Sequence, residues 1–286
     1  MVVYVNGKLV PEEEAVVSVF DRGFLYGDGL FETLLLLNGT PFRWEQHYQR
    51  LDSGAAYLNL TIPRPSGELR RAVEALVSAN RMPNALLRLT LSRGVGPRGY
   101  SPRGADKPTL VMTLHRTPPM DPTRLPTWHL VTSTVRLPSH EPLAQFKTCN
   151  KLPQILARAQ AEAAQAQEAL LLNTDGYVVE AASSNLFWFD QRAVCTPPLT
   201  GGILPGVTRA VVLELCEQLG WEWREALVGP EHIRQAQGVF LSLSSVGLAE
   251  GASLDGQPLN QSPMLLHLRA AFFEMLRSET GWGLQE

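Results

Sequence analysis

The 286-residue sequence predicts an α+β fold built as two domains. Three features carry that reading: turn dipeptides between short apolar runs, apolar residues at helical spacing among them, and one proline-rich stretch with no periodicity. Val2–Val5 and Leu9–Val10 flank Asn6-Gly7, a strong hairpin signal. Phe31–Leu37 is a mostly apolar strand that stops at a second such dipeptide, Asn38-Gly39. From Trp44 to Leu58 the spacing turns helical, with Trp44, Tyr48, Leu51, Ala55 and Leu58 on one face. Leu69, Val73, Leu76 and Val77 mark a second helix behind Ser66. Leu86–Arg93 then alternates with period two: Leu87, Leu89 and Leu91 to one side, Arg88, Thr90 and Ser92 to a wet side.

Pro118–Pro126 reads as a linker, which places the domains at 1–118 and 128–286 with 119–127 between them. The second domain opens on a strand near Trp128–Val135. A long helix follows over Leu152–Ala166, with Leu152, Ile155, Leu156 and Ala159 expected on its buried side. Ala169–Leu172, Val178–Glu180 and Leu186–Phe189 read as strands, the first two joined at Asp175-Gly176. Thr208–Leu219 is a helix closed by Gly220 as C′ residue, Val239–Ser242 is a strand, and Ser262-Pro263 starts a final helix as N-cap and N1. Much of the sheet is expected to be antiparallel.

Composition narrows the function classes. With 44% hydrophobic and 19% charged residues and a net charge of −3, the chain is an ordinary globular one with no basic stripe for a nucleic acid. The N-terminus has no basic region followed by a sustained apolar stretch, so no signal peptide is expected, and no run approaches the length that spans a bilayer. Three scattered cysteines, Cys149, Cys195 and Cys216, support neither a disulfide framework nor a zinc site; a cytoplasmic protein is the natural expectation.

Three segments could carry chemistry: FKTCN (Phe146–Asn150), VVEAASSN (Val178–Asn185) and GGILPGVTR (Gly201–Arg209). They supply a lysine at the junction between irregular chain and helix, a carboxylate at a strand end, and a glycine-rich turn opening into a helix. An amine for a Schiff base, a carboxylate for a pyridine nitrogen and helix-start N–H groups for a phosphate are together what pyridoxal phosphate requires. Each has a plainer reading. Lys147 could be a solvated surface lysine, and Lys151 competes with it; Glu180 could be a strand-end carboxylate meeting water. Gly206-Val207-Thr208 could be only a helix start. Arg50 is a second phosphate candidate through its bidentate guanidinium, although spacing alone makes it an exposed helix arginine. Arg98 and Tyr100, in SRGVGPRGYS (Ser92–Ser101), could hold a substrate carboxylate or be solvated.

Taken with DRGFLYGDGLFET (Asp21–Thr33) and WEQHYQRL (Trp44–Leu51), these motifs resemble the fold type IV pyridoxal-phosphate enzymes over nearly the whole chain and in family order. The resemblance implies a two-domain fold with the cofactor in a cleft between the domains, and a homodimer. It implies pyridoxal 5′-phosphate as cofactor, with Lys147 as Schiff-base lysine and Glu180 as partner of the pyridine nitrogen. Arg50, Val207 and Thr208 would hold the phosphate, Leu204 would lie against the ring, and Ser244 falls where members place a hydroxyl near the phosphate. Phe31, Arg98 and Tyr100 would face a small amine substrate. LFET and SRGVGPRGYS look like the aminodeoxychorismate lyase subgroup, in which Thr33 would help protonate the departing group. D-amino acid aminotransferases tend to have Tyr in place of Phe31 and His in place of Tyr100. Branched-chain enzymes tend to have Tyr five residues after the lysine, where this chain has Leu152. The resemblance therefore implies lyase chemistry releasing pyruvate and 4-aminobenzoate, with an amino-acid aminotransferase as the alternative, and no metal.

Overall fold

A computed structural model describes residues 1–118, 120–191 and 193–283. The elements fall into two compact units, one of Met1–Pro118, Phe146–Asn150 and Leu276–Glu286, the other of Pro119–Gln145 and Lys151–Met275. This partition differs from a simple cut at the proline-rich stretch. That stretch belongs to the second unit, and the five residues around Lys147 belong to the first.

In the first unit the chain runs β1 (Val2–Val5), β2 (Lys8–Pro11), α1 (Arg22–Tyr26), β3 (Gly29–Leu37), β4 (Thr40–Pro41), α2 (Trp44–Tyr57), α3 (Ser66–Asn80), β5 (Ala85–Ser92) and β6 (Thr109–His115). Both expected hairpins form. Asn6 and Gly7 have φ of 49° and 97°, Asn38 and Gly39 of 50° and 74°, the paired positive values that a two-residue turn needs to match strand twist. The strands make a six-stranded antiparallel sheet in the order β2-β1-β6-β5-β3-β4. Leu30, Leu34 and Leu36 of β3 and Leu87, Leu89 and Leu91 of β5 bury one face against Leu51 and Ala55 of α2 and Leu69, Val73 and Leu76 of α3. Each fully buried leucine contributes about 1.5–3 kcal/mol, so this face sets the register of the sheet.

In the second unit come β7 (Thr127–Leu137), α4 (Leu152–Ala163), β8 (Glu168–Asn173), β9 (Val178–Ala181), β10 (Asn185–Asp190), β11 (Ala193–Thr196), α5 (Val207–Gln218), β12 (Trp223–Glu225), α6 (Pro230–Gln235), β13 (Val239–Leu243), β14 (Gly247–Leu254), β15 (Gln257–Pro258) and α7 (Pro263–Thr280), whose last turn lies in the first unit. Their sheet runs β12-β11-β10-β13-β14-β7-β8-β9, with β15 on β14. It is mixed: β14–β7, β7–β8 and β11–β12 pair in parallel. Gly220, at φ +69°, follows the C-cap of α5 as expected. The aperiodic stretch is pinned in place: buried Arg269 of α7 donates from Nη2 to the carbonyls of Asp121 and Arg124, each at 2.8 Å.

One expectation fails. Leu152, Ile155 and Leu156 of α4 are exposed, Leu152 by 71%, and Ala159 is exposed too, while Ala157 and Ala161 are buried. The helix lies on β7 and β8 with its alanines against Leu137, Ala169, Leu171 and Ile203. Small side chains let helix and sheet approach closely, and periodicity weighted by side-chain size picks the opposite face.

Candidate active site

Lys147 is carried into the first unit's sheet by its own backbone. Its carbonyl accepts the Phe31 N–H at 2.9 Å, and the Cys149 N–H donates to the Gly29 carbonyl at 2.9 Å, so the segment pairs with the start of β3. The ammonium lies 4.7 Å from the centre of the Phe31 ring. The Arg88 guanidinium stacks over that same ring at 4.0 Å. Register explains the grouping: Phe31 faces Thr90 and Thr33 faces Arg88 across β3 and β5, so the four side chains share the sheet face away from the leucine core. Burial pushes the Arg88 guanidinium below its usual range, and the Cys149 thiol acts the other way. The face read as wet is therefore a half-buried cationic one, and Arg88 is a site residue that alternation placed correctly without revealing its neighbours.

The opposite face of β3 holds a second group that sequence reading missed. Glu32 points in among the leucines, 2% exposed. Arg50 of α2 donates to it from Nε at 2.8 Å and from Nη2 at 2.7 Å, and His47 meets it through Nδ1 at 2.7 Å. Burial alone would raise the Glu32 pKa; the charge and hydrogen bonds of Arg50, aided by His47, outweigh it and hold the carboxyl at about 2. A charged carboxylate only accepts, so the His47 Nδ1 carries the proton of that bond. Burial lowers the His47 pKa, Glu32 opposes this, and Arg50 and Lys147 add to it. Arg50 is thus not the exposed helix arginine of the plain reading: Glu32 holds its Nε–Nη2 edge and fixes how the guanidinium is turned. A carboxylate amid the run Phe31–Leu37, with His47 and Arg50 three apart on the next helix, was the available signal.

Arg98 and Tyr100 are exposed, Tyr100 by 88%, on the loop after β5. The Tyr100 ring meets Tyr26 edge-on at 5.7 Å.

In the second unit, Glu180 is buried on β9. Its Oε2 accepts the Leu204 N–H at 3.1 Å, and the Leu204 carbonyl accepts from Asn185 Nδ2 at 2.9 Å. One residue ahead of α5 is therefore tied at both ends. Gly206 follows, where an added Cβ would sit 1.9 Å from Asn185 Oδ1, so only glycine fits. Gly206 is also the N-cap of α5 and brings no side chain to cap the first-turn N–H groups of Val207 and Thr208. The Thr208 side chain is buried beside them. Ser244 lies in the turn between β13 and β14, half-buried. Fully buried Glu168 accepts from the Ser183 hydroxyl, from the Ser183 N–H at 3.2 Å and from the Ala169 N–H at 3.0 Å, and so fixes the turn after Glu180. This donor set suits pyridoxal phosphate: a helix start for its phosphate, a buried carboxylate for its ring nitrogen and an amine for its aldehyde. Among the described residues no His, Cys, Asp and Glu cluster could hold a metal, and no helix is long and apolar enough to cross a membrane.

Residues 29–254 match the family described as Amino-transferase class IV. The chain is 33% identical to a provisionally named branched-chain-amino-acid aminotransferase of Methanocaldococcus jannaschii, over 100% of this chain and 99% of that protein. It is 33% identical to the aminodeoxychorismate lyase of Bacillus subtilis (strain 168), over 77% of this chain and 75% of that one. Among solved structures, a thermophile's branched-chain amino acid aminotransferase with pyridoxamine 5′-phosphate matches with a TM-score of 0.89 at 26% identity, covering 98% of this chain and 94% of that one.

Proposed function

We propose that this chain, which belongs to the class IV amino-transferase family, is the lyase that converts 4-amino-4-deoxychorismate into pyruvate and 4-aminobenzoate. Its cofactor is pyridoxal 5′-phosphate. The observation that carries the lyase reading is Thr33, a hydroxyl on the same sheet face as Phe31 and Arg88. When bound, the cofactor supplies an electron sink next to the substrate amine. Lys147 binds the cofactor and takes the proton from the amine-bearing carbon. Glu180 keeps a proton on the ring nitrogen. Arg50, Val207, Thr208 and Ser244 hold the phosphate, and Leu204 lies on the ring. Thr33 delivers a proton toward the departing enolpyruvyl group, while Phe31, Arg98 and Tyr100 line the substrate. The reaction needs no second substrate, because the two products together contain all the atoms of aminodeoxychorismate.

The second reading is an amino-acid aminotransferase. Arg88 favours it: a guanidinium on the Phe31 ring, with the Lys147 amine over the same ring, suits an α-carboxylate bound beside a reacting amino group. The full-length likeness to the Methanocaldococcus jannaschii protein supports it as well. Product analysis separates the two. Pyruvate and 4-aminobenzoate from aminodeoxychorismate establish the lyase; rapid amino transfer from D-alanine or branched-chain amino acids to 2-oxoglutarate, with no pyruvate from aminodeoxychorismate, replaces it.

A homodimer is part of this proposal. Val16, Val19, Phe20 and Phe24 are exposed, Phe24 by 74%, a run of large apolar groups that water disfavours. Light scattering should give a dimer for the wild type and a monomer for Phe24→Asp; a wild-type monomer removes this part of the proposal.

A further inference from the structure

The loop that carries Arg98 and Tyr100 is gripped from beneath by one buried side chain. Arg22, the first residue of α1, is 3% exposed. Its Nη1 donates to the carbonyls of Gly99 at 2.8 Å and Ser101 at 3.2 Å, and its Nη2 to that of Tyr100 at 3.1 Å. Three successive carbonyls therefore point at one guanidinium. The Tyr26 hydroxyl accepts the Gly99 N–H at 3.1 Å, and Arg22 lies over the Tyr26 ring at 5.0 Å. Gly99 has φ +108°, a conformation that turns its peptide toward this grip and that other residues rarely adopt.

Arg22 is itself held. Its Nε donates to Asp28 Oδ2 at 2.8 Å, and Arg93 reaches the same carboxylate from Nε at 2.8 Å and Nη2 at 3.1 Å. Arg93 also donates to the carbonyls of Leu58 and Asn59, so Asp28 and Arg93 join α1, the end of α2 and the end of β5 without Arg22. The three Nη bonds of Arg22 reach only the loop. The fold has its own tie, and the Nη donors serve the shape of residues 99–101.

We propose that Arg22 is a positioning residue for substrate recognition: by fixing the backbone of Gly99–Ser101 it sets how Arg98 and Tyr100 are presented. A loop ordered before binding loses less entropy on binding, so Arg22 acts on substrate affinity and not on the proton transfers at Lys147. This rests on the reading of Arg98 and Tyr100 as substrate residues, and the test keeps the two apart.

Three variants of the holoenzyme, Arg22→Ala, Arg22→Lys and Arg98→Ala, are assayed with the amine substrate that product analysis identifies. Each is also digested with trypsin under native conditions, with cleavage after Arg98 and Arg103 read by mass spectrometry. Arg22→Ala should raise KM by about ten- to a hundredfold, the scale of one or more lost charge-assisted hydrogen bonds, with kcat within about twofold and cofactor affinity unchanged. Cleavage after Arg103, a site present in all three variants, should quicken in Arg22→Ala and not in Arg98→Ala. Arg22→Lys, whose ammonium can keep Asp28 but not span three carbonyls, should show the same split at smaller size. It decides the matter if Arg22→Ala does not fold. An unchanged KM for the Arg22 variants beside a raised KM for Arg98→Ala overturns the proposal and leaves the substrate loop standing. Unchanged KM in all three removes both, and a loss of kcat or of cofactor in the Arg22 variants overturns the positioning role.

Discussion

The lysine-bearing unit and the carboxylate-bearing unit assemble their shares of the chemistry in different ways. In the first, the groups come from distant parts of the chain: Lys147 from a five-residue segment beside β3, Glu32 and Arg88 from opposite faces of one sheet, and Arg50 and His47 from the next helix. Charged side chains hold them together. In the second, Glu180, Asn185, Leu204 and the start of α5 lie within one short stretch of chain, held mostly by bonds to backbone. A local cradle tolerates loss of one group better than a buried ion cluster, where removing a partner strands a charge.

The largest effect should come from breaking the first unit at its reactive end. Lys147→Ala should abolish turnover and the absorption band of lysine-bound cofactor, whereas Lys151→Ala should keep both. Borohydride reduction and peptide mapping check the assignment, and a label on Lys151 refutes it.

Next is Glu32→Gln, which leaves the buried Arg50 charge without its carboxylate. We expect a loss of about 3–5 kcal/mol in urea unfolding, the range for breaking a buried pair from one side. The pH dependence follows from the depressed carboxyl. Its folded value of about 2 lies below the ordinary 4.5, so its contribution is complete above pH 4.5 and disappears as the pH falls toward 2. Glu32→Gln should lack that part of the acid transition. A variant within about 0.5 kcal/mol of wild type would show that the cluster does not hold the unit together.

Glu180→Gln sharpens the comparison from the other side. It should keep its stability, since a Gln side chain can still accept the Leu204 N–H, but lose about 2–4 kcal/mol of transition-state stabilisation in kcat/KM. Near wild-type turnover would mean another group serves the ring nitrogen.

The smallest effect belongs to α4. Leu152→Gln replaces an exposed side chain and should change stability by less than about 0.5 kcal/mol, while Ala161→Leu forces a large group against the sheet and should cost about 1–3 kcal/mol. Thermal unfolding of the pair tests which face is buried; the reverse ranking would restore the reading made from periodicity.

What the sequence determined by itself was whatever depends on near neighbours in the chain. The Asn-Gly turns, the strand alternation, the glycine that closes α5 and the order of the Lys147, Glu180 and Gly206 motifs were all legible, because backbone conformation and capping are decided within a few residues. The family resemblance rests on the same local strings. Tertiary structure alone decided which side of α4 meets the sheet, since an alanine face and a leucine face have the same period. It alone decided that Glu32 lies among leucines, because a carboxylate there is tolerable only once Arg50 and His47 arrive from another element. It alone decided that Arg88 shares the Phe31 ring with Lys147 and that Arg22 takes three carbonyls from a loop far along the chain. Period and propensity say which way a side chain points; the energy of a buried charge depends on what stands opposite it, and only the folded chain supplies that.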